Sequence, residues 1–210
     1  MQKNNWIPAV MLLLLLACCG PKGAHTYEVS SASDAREFIE AEAKANSHET
    51  KIKDVNFKLK PISAEEMALR DLGDVSQATQ AGFDSVVKAY GNVLYFNLEI
   101  SIDKFNEELL HYKPEANTEE AFDERVAYYS FGMQQDIYIV IAEKDTIPCT
   151  MYHYERNYGV SPKNNFMLGF ETGQRKNAVL VYDNKFLTTG PVKFALNEQD
   201  LYNHPQIKIN

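Results

Sequence analysis

The sequence predicts an α+β domain, with a mainly antiparallel β-sheet or sandwich in the C-terminal half and helices packed on it. Two observations lead there. Apolar residues recur at helical spacing in several stretches before residue 134, and from Asp136 onward the period changes to two. The late alternating runs are also joined by short connections, which favour antiparallel meanders over long crossovers.

Each element has its own signal. Ser33 is placed to cap a helix through about Asn46, with Phe38, Ile39, Glu42 and Ala43 on one face. Asp54–Lys60 alternates, with Val55, Phe57 and Leu59 inward and Lys58 and Lys60 outward, and Pro61 is expected to end it. Ser63 and Glu66 have capping-box spacing, and Gly73 suits the following stop. A further helix is expected over about 74–90. Asn92–Ile102 is the clearest strand, with Leu94, Phe96, Leu98, Ile100 and Ile102 on one side. A short helix is expected over Asp103–His111. Asn117 and Glu120 repeat the capping spacing, and Phe122, Val126, Tyr129 and Met133 form a helical stripe.

Six strands are then expected: Ile137–Ala142, Ile147–Arg156, Phe166–Phe170, Ala178–Tyr182, Lys185–Thr189 and Val192–Leu196. Asp183-Asn184 suits a two-residue hairpin turn, because both residues tolerate left-handed backbone. Asn197–Tyr202 reads as a terminal helical turn. The strands near 55–59 and 94–102 are expected to join the same sheet as the later ones, giving one globular domain over 33–210.

Composition narrows the function classes. The chain has 210 residues, 45% of them hydrophobic, which suffices for a core without disulfide staples. Acids outnumber bases 29 to 21, so the electrostatic footprint of a nucleic-acid binder is missing. At the N-terminus Lys3 precedes an apolar run, Trp6–Ala17, of about 12 residues. A bilayer span needs about 20, so the run is a signal-peptide core rather than a transmembrane helix.

The run ends in Leu15-Leu16-Ala17-Cys18. This resembles the lipobox of bacterial lipoprotein precursors, a resemblance confined to the first 20 or so residues. It implies cleavage after Ala17, so that 1–17 is a signal peptide, and a diacylglyceryl thioether on Cys18, the lipidation site. Residues 18–32 then form a lipidated tether. The lipid implies attachment to a bacterial membrane. No Asp follows Cys18 and no early acidic cluster is present, so the expected location is the outer membrane, facing the periplasm.

Residues able to carry chemistry are sparse. The histidines show neither the i, i+4 spacing of a helical zinc site nor a Cys-x-x-Cys partner. His153 and Glu155 share a strand face, which more simply makes a surface pair than a metal site. Cys149 and His153 would lie on one face of a single strand, too far apart for a nucleophile–base pair. No nucleophile elbow, phosphate loop or dinucleotide fingerprint occurs. No metal, cofactor or catalytic residue is assigned.

Tyrosine is the compositional oddity. Of the 12, eight lie from Tyr128 onward. Tyr152, Tyr154 and Arg156 share one face of the expected strand, either as a binding face or as part of the core beneath helices. At least one of the two tyrosines is expected in the core. The function read from the sequence is a membrane-anchored, non-catalytic binding or structural module with an envelope protein or glycan as partner. Small-molecule or glycan binding for a transporter is the alternative, and hydrolysis of glycan or cell-wall material a further one.

Overall fold

The computed structural model describes residues 26–112, 118–173, 176–187, 189–202 and 204–210. The signal segment and Cys18 lie outside the described residues. The chain starts with β1 (Thr26–Val29), α1 (Ala32–Ala45), β2 (His48–Ile52), β3 (Val55–Ile62), α2 (Ala64–Leu72), α3 (Gln80–Tyr90) and β4 (Val93–Ile102). It continues with α4 (Glu119–Ala127), β5 (Ile137–Ile141), β6 (Asp145–Pro148), β7 (Met151–Glu155) and β8 (Asn164–Glu171). It ends with β9 (Ala178–Tyr182), β10 (Val192–Leu196), α5 (Glu198–Tyr202) and β11 (Gln206–Ile209).

The fold is α+β, and its two larger sheets are antiparallel throughout. One has the order β2-β3-β4-β8-β7 and the other β10-β9-β5-β6. A small third sheet pairs β1 with β11 in parallel. The two larger sheets share one core. Phe57, Leu98 and Phe166 of the first and Ile139, Leu180 and Phe194 of the second belong to the same buried cluster. A second cluster joins Val29, Phe38, Leu69, Phe83, Ile207 and Ile209, from helices α1–α3 and the small sheet.

Capping chemistry sets most helix starts. Ser31, rather than Ser33, caps α1, accepting from the Asp34 amide at 3.2 Å. Ser63 caps α2 as its spacing predicts, accepting from the Glu66 amide at 3.0 Å. The helix expected over 74–90 is broken in two, because Asp74 caps a 3₁₀ turn at Val75–Gln77 and Thr79 caps α3. Asp103–His111 is helical only at Leu109–His111. Asn117 lies outside the described residues, and Thr118 caps α4 through the Ala121 amide.

The strand pattern differs from expectation in several places. Pro61 does not end β3, which continues to Ile62 against β4. The β2 ladder stops at His48 opposite Leu59, so one side of the strand is open at Pro61, where proline is tolerated. The run Ile147–Arg156 is two strands in two sheets, β6 and β7, with the chain crossing over at Cys149–Thr150. Lys185–Thr189 is no strand and Asp183-Asn184 no hairpin turn. The described residues of the segment, 183–187 and 189–191, lie outside any strand, and the Asn184 amide holds the Gly190 carbonyl at 2.8 Å.

Two further strands carry too few apolar residues to stand out. β2 reads His-Glu-Thr-Lys-Ile and is an exposed edge. Thr26–Val29, read as tether, is a strand whose Val29 is fully buried, so folded structure begins ahead of residue 33. Finally, of the later strands only β7 and β8 share a sheet with those near 55–59 and 94–102, since β5, β6, β9 and β10 form the other.

Candidate functional site

β7 is an edge strand, and the turn after α4 packs on it. That turn, Tyr128–Gly132, is π-helical. Such turns widen the backbone and are frequent at functional sites. Here the widening buries Tyr128 and Tyr129 side by side and turns Phe131 outward, 78% exposed. The phenol of Tyr152 donates to the Tyr129 carbonyl, and Gln134 Nε2 donates to the Cys149 carbonyl at 2.9 Å. The edge strand is thereby sutured to the turn.

Tyr154 lies deeper. Its ring stacks on Phe166 with centroids 4.8 Å apart, and its phenol is 3.0 Å from Glu108 Oε1 and 3.1 Å from Asn164 Oδ1. Glu108 and Asn164 are both buried. Burial pushes the Tyr154 phenol well above its usual range, and the Glu108 charge adds to the effect. Burial does the same to Tyr152. Both phenols therefore stay protonated and act as fixed donors.

Arg156 completes the row. Its Nε is 3.8 Å from Glu108 Oε1, an ion pair without a hydrogen bond. That Nε is buried and has no hydrogen-bond partner among the described residues. The guanidinium lies between two rings, 5.9 Å from the Phe122 centroid and 4.8 Å from that of Tyr158.

Beyond Arg156 the chain forms a wired loop. Asn157 Nδ2 donates to the carbonyls of Ser161 and Lys163, both at 2.8 Å, and Asn157 Oδ1 accepts from the Gly159 amide at 3.0 Å. The Val160 amide donates to the Asn157 carbonyl at 3.1 Å. Tyr158 sits at φ 52°, a left-handed conformation that disfavours side chains. Yet Tyr158 is 77% exposed and Val160 89%. Together with Phe131 these are the large exposed hydrophobics among the described residues.

The result is a cleft of about 460 Å³. Ser130, Phe131 and Gln134 form one wall, and Tyr152, Tyr154, Arg156 and Tyr158 the floor and the other wall. The predicted trio Tyr152, Tyr154 and Arg156 is thus brought together, but on an inward face. Tyr154 belongs to the core, Tyr152 packs against it, and Arg156 is half-buried. A depression of about 500 Å³ on the outer side of β5, β9 and β10 is larger. Its lining is mostly short aliphatic, with Val140, Val179 and Ala195, and lacks the rings and the guanidinium that orient a ligand.

Sequence reasoning missed Phe131 and Glu108, and it noted Tyr158 beside the tyrosine-rich strand without placing it on the candidate face. A π turn has no apolar period to announce it, and Glu108 meets Tyr154 only through tertiary packing. The Asn157-Tyr158-Gly159 turn chemistry was the available signal. Cys149 lies at the sheet crossover rather than on one strand with His153. Its thiol is pushed up to about 11 by burial, which keeps it an unreactive thiol. Among the described residues no group of three His, Cys, Asp or Glu could hold a metal ion.

No family model and no curated protein matches the chain. Two solved structures bear a loose likeness to it. One is a protein of unknown function from Burkholderia pseudomallei, 11% identical, with 80% of this chain and 86% of that chain covered at a TM-score of 0.38. The other is a DUF4426 family protein from Pseudomonas aeruginosa, 10% identical, with 72% and 92% covered at 0.33. At these TM-scores neither likeness carries a statement about fold or function.

Proposed function

We propose that this chain is a bacterial envelope lipoprotein, acylated on Cys18, whose folded part is a non-catalytic binding module. The aromatic cleft is its recognition surface. One observation carries the reading: Phe131 and Tyr158, highly exposed rings on two separate segments, face one cleft, with Val160 two residues beyond. Exposed apolar groups gathered in this way mark interaction sites, whereas scattered ones do not. The two phenols on the cleft floor support binding, since both are held as hydrogen-bond donors to the protein itself.

The anchor follows from the lipobox. The first strand among the described residues starts at Thr26, and the stretch from Cys18 to it can span at most about 30 Å even when fully extended. The module is therefore held close to its membrane, for which the outer membrane, facing the periplasm, is the proposed site. Two measurements test the reading. Palmitate labelling is expected to vanish in Cys18→Ser and to persist in Cys19→Ser. A photo-crosslinking amino acid at Phe131 is expected to give an envelope adduct that the same group at the exposed Lys193 does not. Labelling of Cys18→Ser at the wild-type level defeats the anchor, and equal adducts at the two positions defeat the recognition surface.

A further inference from the structure

We infer that the cleft takes an extended, proline-rich polypeptide segment. This rests on the recognition role proposed for the same cleft and adds the chemistry of the partner.

The lining is aromatic first. Phe131, Tyr152, Tyr154 and Tyr158 contribute rings to it. The phenols of Tyr152 and Tyr154 are engaged with the Tyr129 carbonyl and with Glu108 and Asn164, so neither offers a free hydroxyl. Tyr154 is buried, and the accessible ring surface comes from Phe131, Tyr158 and the half-buried Tyr152. Pyrrolidine rings pack on such surfaces, and aromatic-lined grooves are a recurring receptor for the polyproline II helix.

The polar groups narrow the choice. The lining holds no Asp or Glu, although acids exceed bases 29 to 21 in the whole chain. Its polar members are the Arg156 guanidinium, the Ser130 hydroxyl, His153 and Gln134, and the Gln134 amide nitrogen is committed to the Cys149 carbonyl. The lining carries one cationic donor and no carboxylate, while Ser130, His153 and Gln134 can accept as well as donate. The Arg156 guanidinium therefore favours a ligand biased toward accessible carbonyls. A polyproline II segment has that bias, because its carbonyls are unsatisfied internally and proline has no N–H. A glycan brings a donor with every hydroxyl and lacks matching carboxylates here.

The cleft is also built in advance. Asn157 ties the loop at both ends, and Arg156 stacks on the Tyr158 ring at 4.8 Å. Tyr158 is kept in a left-handed conformation at a steric cost, with its ring in solvent. Strain held at an exposed ring is typical of recognition sites. A stiff receptor and a stiff ligand lose little freedom on meeting, so a small contact area suffices.

Fluorescence anisotropy with fluorescein-labelled decaproline, titrated with the full-length lipoprotein in detergent micelles, tests the assignment. Saturable binding is expected, weakened about tenfold or more by Phe131→Ala and by Tyr158→Gly. Tyr158→Gly is expected to melt at or above the wild-type temperature, because glycine relieves the left-handed strain. Unlabelled chitotetraose is expected not to displace the probe. Absence of saturable binding, equal binding by both variants, or displacement by chitotetraose overturns the assignment. If decaproline fails while the Phe131 crosslink persists, the partner's chemistry is wrong and the recognition role stands. Loss of that crosslink as well removes the role itself.

Discussion

The phenol of Tyr154 lies 3.0 Å from the buried carboxylate of Glu108, joining a sheet edge to the 3₁₀ turn that Glu108 precedes. This contact makes Tyr154 a member of the core rather than an exposed contact residue. Tyr154→Ala removes a stacked, buried ring and leaves Glu108 without its donor. A loss of roughly 3–5 kcal/mol in urea melts is expected. Tyr154→Phe keeps the ring and removes only the hydroxyl, and about 1–3 kcal/mol is expected for the unsatisfied carboxylate. Wild-type melting of both variants would return Tyr154 to the surface.

The same residue shows what the sequence could and could not carry. Alternation placed Tyr152, Tyr154 and Arg156 on one face, and the structure keeps them on one face. Which way the face points depended on the π turn folding over it, and no local pattern encodes that contact. Capping boxes were legible because they are local, as at Ser63 and Glu66. The boundary between β6 and β7 was not legible, because apolar alternation runs straight through the sheet crossover. Lys60 looked like a solvated outward residue and does point outward, but α1 and α2 roof that end of the sheet.

That roof rests on a buried ion pair. Lys60 Nζ donates to Glu66 Oε1 at 2.8 Å, with side-chain exposures of only 9% and 1%. Arg70 reaches the same oxygen at 2.7 Å from a 42% exposed position, where water screens its contribution. Glu66→Leu strands the Lys60 ammonium beside the Ile39 carbonyl alone. A cost of about 3–5 kcal/mol is expected. Lys60→Met is milder, because Glu66 keeps Arg70. The double variant, Lys60→Met with Glu66→Leu, is expected to recover much of the loss of Glu66→Leu. A double-mutant cycle by denaturant melts measures the coupling, and strict additivity would refute it.

His204 gives the fold a pH dependence. Its Nε2 meets the Leu201 carbonyl at 3.0 Å, and its Nδ1 is 3.7 Å from Glu42 Oε2. Burial works to lower its pKa, but the Glu42 carboxylate, the Leu201 carbonyl and the Glu65 charge outweigh it, and the net shift is upward from 6.5. A raised folded pKa means that the protonated ring favours the folded state. Its stabilisation is complete below the unfolded value and is lost as pH rises through the folded one. Urea melts at about pH 5.5 and about pH 8.5, on either side of the unperturbed histidine value, are expected to show a fall that His204→Gln removes. An equal fall in the variant would assign the dependence elsewhere.

The last expectation concerns where the fold begins. Val29 is fully buried in the cluster of α1–α3 and β11, and the Asn210 amide donates to its carbonyl at 3.1 Å. Tyr27 meets Phe38 edge to face with centroids 5.2 Å apart. A chain starting at Ser30 loses both contacts and exposes the edge of β11, whereas a chain starting at Thr26 keeps them. Val29→Ala alone removes two buried methyl-sized groups, for about 2 kcal/mol. Denaturant melts of the two truncations and of Val29→Ala should therefore rank the Ser30 start least stable. The Thr26 start should match the full chain, with the point variant between them. Equal stability of the Ser30 and Thr26 starts would make β1 an ornament and restore the fold's beginning to α1.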